Sequence, residues 1–171
     1  LARQGVAIDF YMPHMPTLAG ELKVAAHHHH LRILEVDADP GLSPYGGGKA
    51  QYERNFNDAV ALYNKRLVAA FDSPDADILH CHDWITVPAA LELQAITAKP
   101  LVLTMHSMEH DRSAGFCPQE WIADIERRGV HGADRVVAVS RCTKAALGGQ
   151  SGAAPGPGAA GPNGREATRA Q

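Results

Sequence analysis

The chain has no apolar run near the ~20 residues a membrane-spanning helix requires. It has only three cysteines, Cys81, Cys117 and Cys142, and no two lie close in sequence. This spacing excludes a zinc ribbon or a disulfide framework and fits a reducing compartment, so a cytoplasmic location is expected. Charge of one sign is lacking as well, with 16 Lys and Arg against 19 Asp and Glu. No broad basic field is therefore offered to nucleic acid or to an anionic membrane surface. A signal-peptide pattern and internal repeats are missing. No G-x-G-x-x-G follows a strand, which removes support for a dinucleotide oxidoreductase. "GGGK" at Gly46 to Lys49 falls short of a phosphate-binding loop, because alanine follows the lysine. What is present is an ordinary globular balance over 171 residues, 45% hydrophobic and 20% charged, enough for one domain with a real core.

Leu1 to Gln4 read as the last turn of a helix that Gly5 stops. Val6 to Met12 read as a strand closed by Pro13. A domain is not expected to begin with a helix's last turn, so a strand, a loop and most of a helix are expected upstream. Leu31 to Val36 alternates as a strand, and "DADPGLSPYGGG" after it is a loop. Gln51 to Phe71 carries the helical stripe Phe56, Val60, Tyr63, Leu67 and Val68. Ile78 to Leu79 is a short buried strand, Val87 to Ile96 a helix, Pro100 to Met105 a strand and Gln119 to Val130 a helix. Arg135 to Val139 closes the pattern as a strand, and Ser140 caps a last helix from Arg141 to Leu147. Strands alternating with helices indicate a Rossmann-like α/β fold, a parallel sheet with helices on both faces. Residues 148–171, rich in Gly, Ala and Pro, hold no aliphatic residue larger than alanine and are expected to be a disordered tail.

In open parallel sheets, ligands bind outside the carboxyl ends of the strands. His80–Cys81–His82–Asp83, His106–Ser107–Met108–Glu109 and Ser140–Arg141 all fall at that edge, and the loop at Tyr45 to Gly48 should lie there too. His80 and His82 point the same way from an extended chain, so Cys81 faces away from both and a Cys–His nucleophile pair is not expected. The pair of histidines invites a metal, yet no further ligands can be named, and no metal is expected. The four histidines His27 to His30 read as a polar loop. Glu109, Asp111 and Arg112 read plainly as a solvated ion pair, and Trp84 and Trp121 as core anchors.

Taken together, the motifs resemble one family. "DADILHCHDWITVPAALELQAITAKPLVLTMHSMEHDRSAG" and "DIERRGVHGADRVVAVSRCTK" are similar to the amino-terminal domain of glycogen and starch synthase-like glycosyltransferases of the GT-B architecture. "SPYGGGKAQYE" resembles the loop before that family's long helix, and the likeness runs from about Leu1 to Leu147, most densely from Asp75 to Lys144. Met108 stands where the family usually has threonine. The resemblance implies that residues 1–147 are an incomplete acceptor-side domain. It implies a retaining, metal-independent transferase that needs no cofactor and moves glucose from ADP-glucose or UDP-glucose to a glucan or other glycan acceptor. His82 would be the catalytic residue beside the transferred sugar. His106, Ser107, Tyr45, Gly46, Gly47, Asp83 and Glu109 would bind substrate. The family's carboxyl-terminal donor domain, with its diphosphate-neutralising Arg/Lys pair, would be a missing partner, so the chain alone is expected to be inactive. A non-catalytic glycan- or partner-binding module and a metallohydrolase built on His80, His82 and Asp83 stay open as alternatives.

Overall fold

The computed structural model describes residues 1–14, 30–38, 56–114 and 116–151. They form two compact units, Leu1–Ser73 and Pro74–Gln171. In the first unit a 3-10 turn at Ala2–Gln4 ends on Gly5, whose φ of 83° is the left-handed cap for which glycine is suited. β1 (Ile8–Pro13) then pairs in parallel with β2 (Leu31–Val36), Ile8 opposite Leu31 and Pro13 opposite Val36. Pro13 is thus inside the strand, not beyond it; as its last residue it needs no ladder donor of its own. Arg32 holds Asp9 across the pair through two hydrogen bonds, Nε to Oδ1 at 2.9 Å and a terminal nitrogen to Oδ2 at 2.7 Å. The guanidinium holds the Asp9 carboxyl below its ordinary value. α1 (Phe56–Ala70) lies against β2 and buries Phe56, Val60, Tyr63 and Leu67, the expected stripe.

The second unit carries the motifs. Its sheet is parallel, in the order β3 (Leu79–His82), β4 (Leu101–Met105), β5 (Arg135–Ala138). Leu79 sits opposite Leu101, His82 opposite Thr104, and Thr104 opposite Val137. α2 (Asp83–Thr97) follows β3. A one-turn helix, α3 (Glu109–Arg112), and α4 (Glu120–Gly132) follow β4, and α5 (Arg141–Ser151) follows β5. α2 and α4 pack on each other and on β4, burying Leu101, Leu103 and Met105 beneath them. They approach closely because Gly129 and Gly132 lack side chains. A Cβ on Gly129 would stand 2.7 Å from Val87 Cγ2, and one on Gly132 would meet Leu91. Trp84 and Trp121 fix the same contact edge to face, with ring centroids 5.3 Å apart. Trp84 is the buried core anchor expected, while Trp121 is half-buried against it.

Element boundaries in this unit differ from the sequence expectation most at β3, α2 and α5. β3 runs over Leu79–His82 rather than Ile78 to Leu79, because alternation lets Leu79 and Cys81 go inward while His80 and His82 stay exposed; Ile78 is 56% exposed. α2 begins at Asp83, four residues before the expected Val87. Pro88, which looks like a first-turn proline, instead lies inside the helix. Asp83 makes the early start possible by taking φ of 55°, turning strand into helix without a loop. α5 extends four residues past the expected Leu147, to Ser151; at its start Ser140 Oγ accepts the Thr143 N–H at 3.0 Å, the cap expected of Ser140. The rest of the expected tail, residues 152–171, lies outside the described residues.

Candidate functional site at the carboxyl edge of β3 and β4

The parallel register of β3 and β4 sets His80, His82, Val102 and Thr104 on one face of the sheet. His80 Nε2 is bonded to Thr104 Oγ1 at 2.8 Å. The His80 and His82 rings stack, centroids 4.6 Å apart, as side chains two residues apart on a strand can do. One residue beyond β4, His106 completes a row: its Nε2 is 3.2 Å from His82 Nδ1. An imidazole–imidazole hydrogen bond needs an N–H on one ring and a lone pair on the other. The rings therefore constrain each other's tautomers and leave Nε2 of His82 and Nδ1 of His106 for a ligand.

Burial lowers the pKa of both β3 histidines. For His80 the second cause is His82; for His82 it is His106, partly opposed by Asp83. His82 is thus neutral near pH 7, able to donate to or accept from a hydroxyl group. Cys81 points the other way, is buried, and its thiol is pushed up to about 12, mainly by that burial. It is no nucleophile.

Asp83 and Ser107 belong to the loops that frame this row. Asp83 Oδ1 accepts the His106 backbone N–H at 2.8 Å, tying the end of β4 to the start of α2. Ser107 is held by Arg112, one of whose nitrogens donates to Ser107 O and to Ser107 Oγ, both at 3.0 Å. Glu109 sits elsewhere. It is 7% exposed, and its carboxylate accepts the other terminal nitrogen of Arg112 at 3.1 Å and the Gln119 N–H at 3.0 Å. The solvated ion pair expected at Glu109 and Arg112 is therefore a part-buried cluster, in which the Glu109 carboxylate is buried and the Arg112 side chain stays 31% exposed. Tyr45, Gly46 and Gly47 lie outside the described residues, as do His27 to His29.

Two participants escaped the sequence reading. Thr104 had a legible signal, since it precedes His106 by two positions on the same strand face. Glu126 is fully buried, and its two oxygens accept the Glu109 N–H at 2.9 and 3.0 Å while Oε1 also accepts Arg112 at 2.7 Å. Burial raises its carboxyl, with Arg112 and the Glu109 N–H acting against that. Its signal was the inward stripe Ile122–Glu126–Gly129 of α4, which a carboxylate interrupts. Among the described residues, no group of three or more His, Cys, Asp or Glu is arranged to hold a metal.

A sequence model described as Glycosyltransferase Family 4 matches residues 1–169. No curated protein matches the chain. Among solved structures, the chain is similar to Arabidopsis thaliana UGT89C1 crystallised with UDP-L-rhamnose, at a TM-score of 0.55 and 14% sequence identity. That match covers 81% of this chain and 39% of the plant protein. At this identity the likeness concerns the fold, which is α/β with parallel sheets and flanking helices.

Proposed function

The chain belongs to glycosyltransferase family 4, and on that premise we propose that it supplies the acceptor side of a retaining, metal-independent transferase of glycogen synthase type. It would take glucose from a nucleotide sugar, ADP-glucose or UDP-glucose, and pass it to a glucan. One observation carries the reading, the His82–His106 pair at the carboxyl edge of parallel β3 and β4. Transfer through an oxocarbenium-like state needs oriented hydrogen bonds to sugar hydroxyls, with bulk water held back. A neutral His82 ring hydrogen-bonded to a second imidazole suits that task, since its free nitrogen offers one defined donor or acceptor.

In this reading His82 contacts the transferred sugar, and His106 with Ser107 contacts the acceptor. Asp83 contributes by holding the His106 backbone, and Glu109 by supporting the loop from below. No helix among the described residues is long and apolar enough to cross a membrane. Three free cysteines support a reducing, cytoplasmic setting.

Titration of maltoheptaose against the chain tests the proposal. Replacing His106 by alanine removes one acceptor hydroxyl contact, expected to weaken binding about tenfold, the equivalent of ~1.4 kcal/mol. Equal affinity of the His106 variant and the unaltered chain would sink the acceptor assignment.

A further inference from the structure

The loop from His106 to Met108 is anchored at two points. Its start is tied to Asp83 through the His106 N–H, 2.8 Å from Oδ1. Its middle is tied to Arg112, which grips both the carbonyl and the hydroxyl of Ser107. The guanidinium itself cannot drift, because its other terminal nitrogen lies between Glu109 Oε2 at 3.1 Å and Glu126 Oε1 at 2.7 Å. Glu126 comes from α4 and is wholly buried, so its carboxylate is a fixed point of the α2–α4 core. It also receives the Glu109 N–H at the first residue of α3. A rigid helix is thereby coupled to a loop whose first residue is one half of the imidazole pair.

We propose that Arg112, seated on Glu126, is a positioning residue that sets the His106–Ser107 loop and hence the His82–His106 hydrogen bond. The planar fork explains why arginine stands here: it meets a carbonyl, a hydroxyl and two carboxylates at once, which a lysine ammonium on a flexible stem does not reproduce. As a link to sugar binding the proposal rests on the function assigned above; as a statement about the two rings it does not.

The test uses the full 171-residue chain. Ring 15N resonances of His82 and His106 are followed through a pH titration without sugar, beside thermal melting and maltoheptaose affinity. Arg112→Gln should shift both ring resonances and the midpoint of the His82 titration, and weaken maltoheptaose about tenfold. Arg112→Lys should recover melting temperature more than ring positions. Arg127→Gln, which breaks an exposed pair with Asp124, should leave all three readouts unchanged. If Arg112→Gln does not fold, Glu126→Gln carries the test, because it keeps the volume and one acceptor oxygen while loosening the grip on Arg112. Unmoved ring resonances in a folded variant of either kind overturn the positioning role. Shifted rings in a protein whose His106→Ala variant binds maltoheptaose normally would leave that role standing and overturn the sugar assignment instead.

Discussion

His82 draws its character from its neighbours more than from its own chemistry. Partial burial first and the neighbouring His106 second favour the neutral ring, with Asp83 acting against them, and the pKa of both β3 histidines lies below the ordinary 6.5. A depressed histidine is stabilising when neutral, so its contribution is complete above pH 6.5 and is lost as pH falls through the folded value. Urea midpoints of the chain are therefore expected to decline as pH drops below about 6.5. In His80→Asn that decline should flatten, because one of the two groups is gone; an unchanged slope would show that the His80 ring is not linked to folding. Thr104 was legible in the strand alternation as a neighbour of this row. Its partnership with His80 was not, because it depends on which residue of β3 faces which residue of β4.

At the level of elements, the α2–α4 contact is the part most exposed to a single methyl group. Gly129 faces Val87 and Leu103 with no room for a Cβ, and Gly132 faces Leu91 in the same way. Gly129→Ala is expected to cost ~1–3 kcal/mol through overpacking, despite alanine's better helix propensity. Thermal denaturation should register this as a clear fall in melting temperature. A neutral or stabilised variant would mean that Val87 can turn away. Because α4 also carries Glu126, the same variant should disturb the Arg112 anchor. Element types were readable from periodicity. The early start of α2 was not, since a strand that turns directly into a helix at Asp83 has no sequence pause to mark it.

Across the whole chain, the family match spans both units, and each contains parallel pairing of its own. The leaving group of a nucleotide sugar is a diphosphate, and its departure needs cations close to the developing charge. At the edge described here His82 is neutral near pH 7, and the guanidinium built into the loop, Arg112, is committed to Glu109 and Glu126. On the proposed acceptor-side reading, the chain by itself is expected to release no nucleoside diphosphate from ADP-glucose or UDP-glucose above the uncatalysed rate. A coupled assay for nucleoside diphosphate checks this, and sustained turnover would contradict it. Glycan binding without turnover is the pattern expected of an acceptor side that works with a separate donor domain.

The sequence by itself determined the alternation of strands and helices, the exposed face shared by His80 and His82, and the convergence of two histidine motifs on one sheet edge. These features are local: they follow from periodicity within a few residues and from the fact that parallel strands align their carboxyl ends. Only the tertiary structure decided that His82 bonds to His106, that Glu109 turns inward, and that Glu126 reaches the loop through Arg112. Those partners lie 24, 10 and 14 residues apart in pairs, His82 with His106, Glu109 with Gln119, Arg112 with Glu126. Distances of that kind are set by strand register and helix packing. A buried carboxylate looks like any surface glutamate until the helix carrying it is turned toward its neighbours.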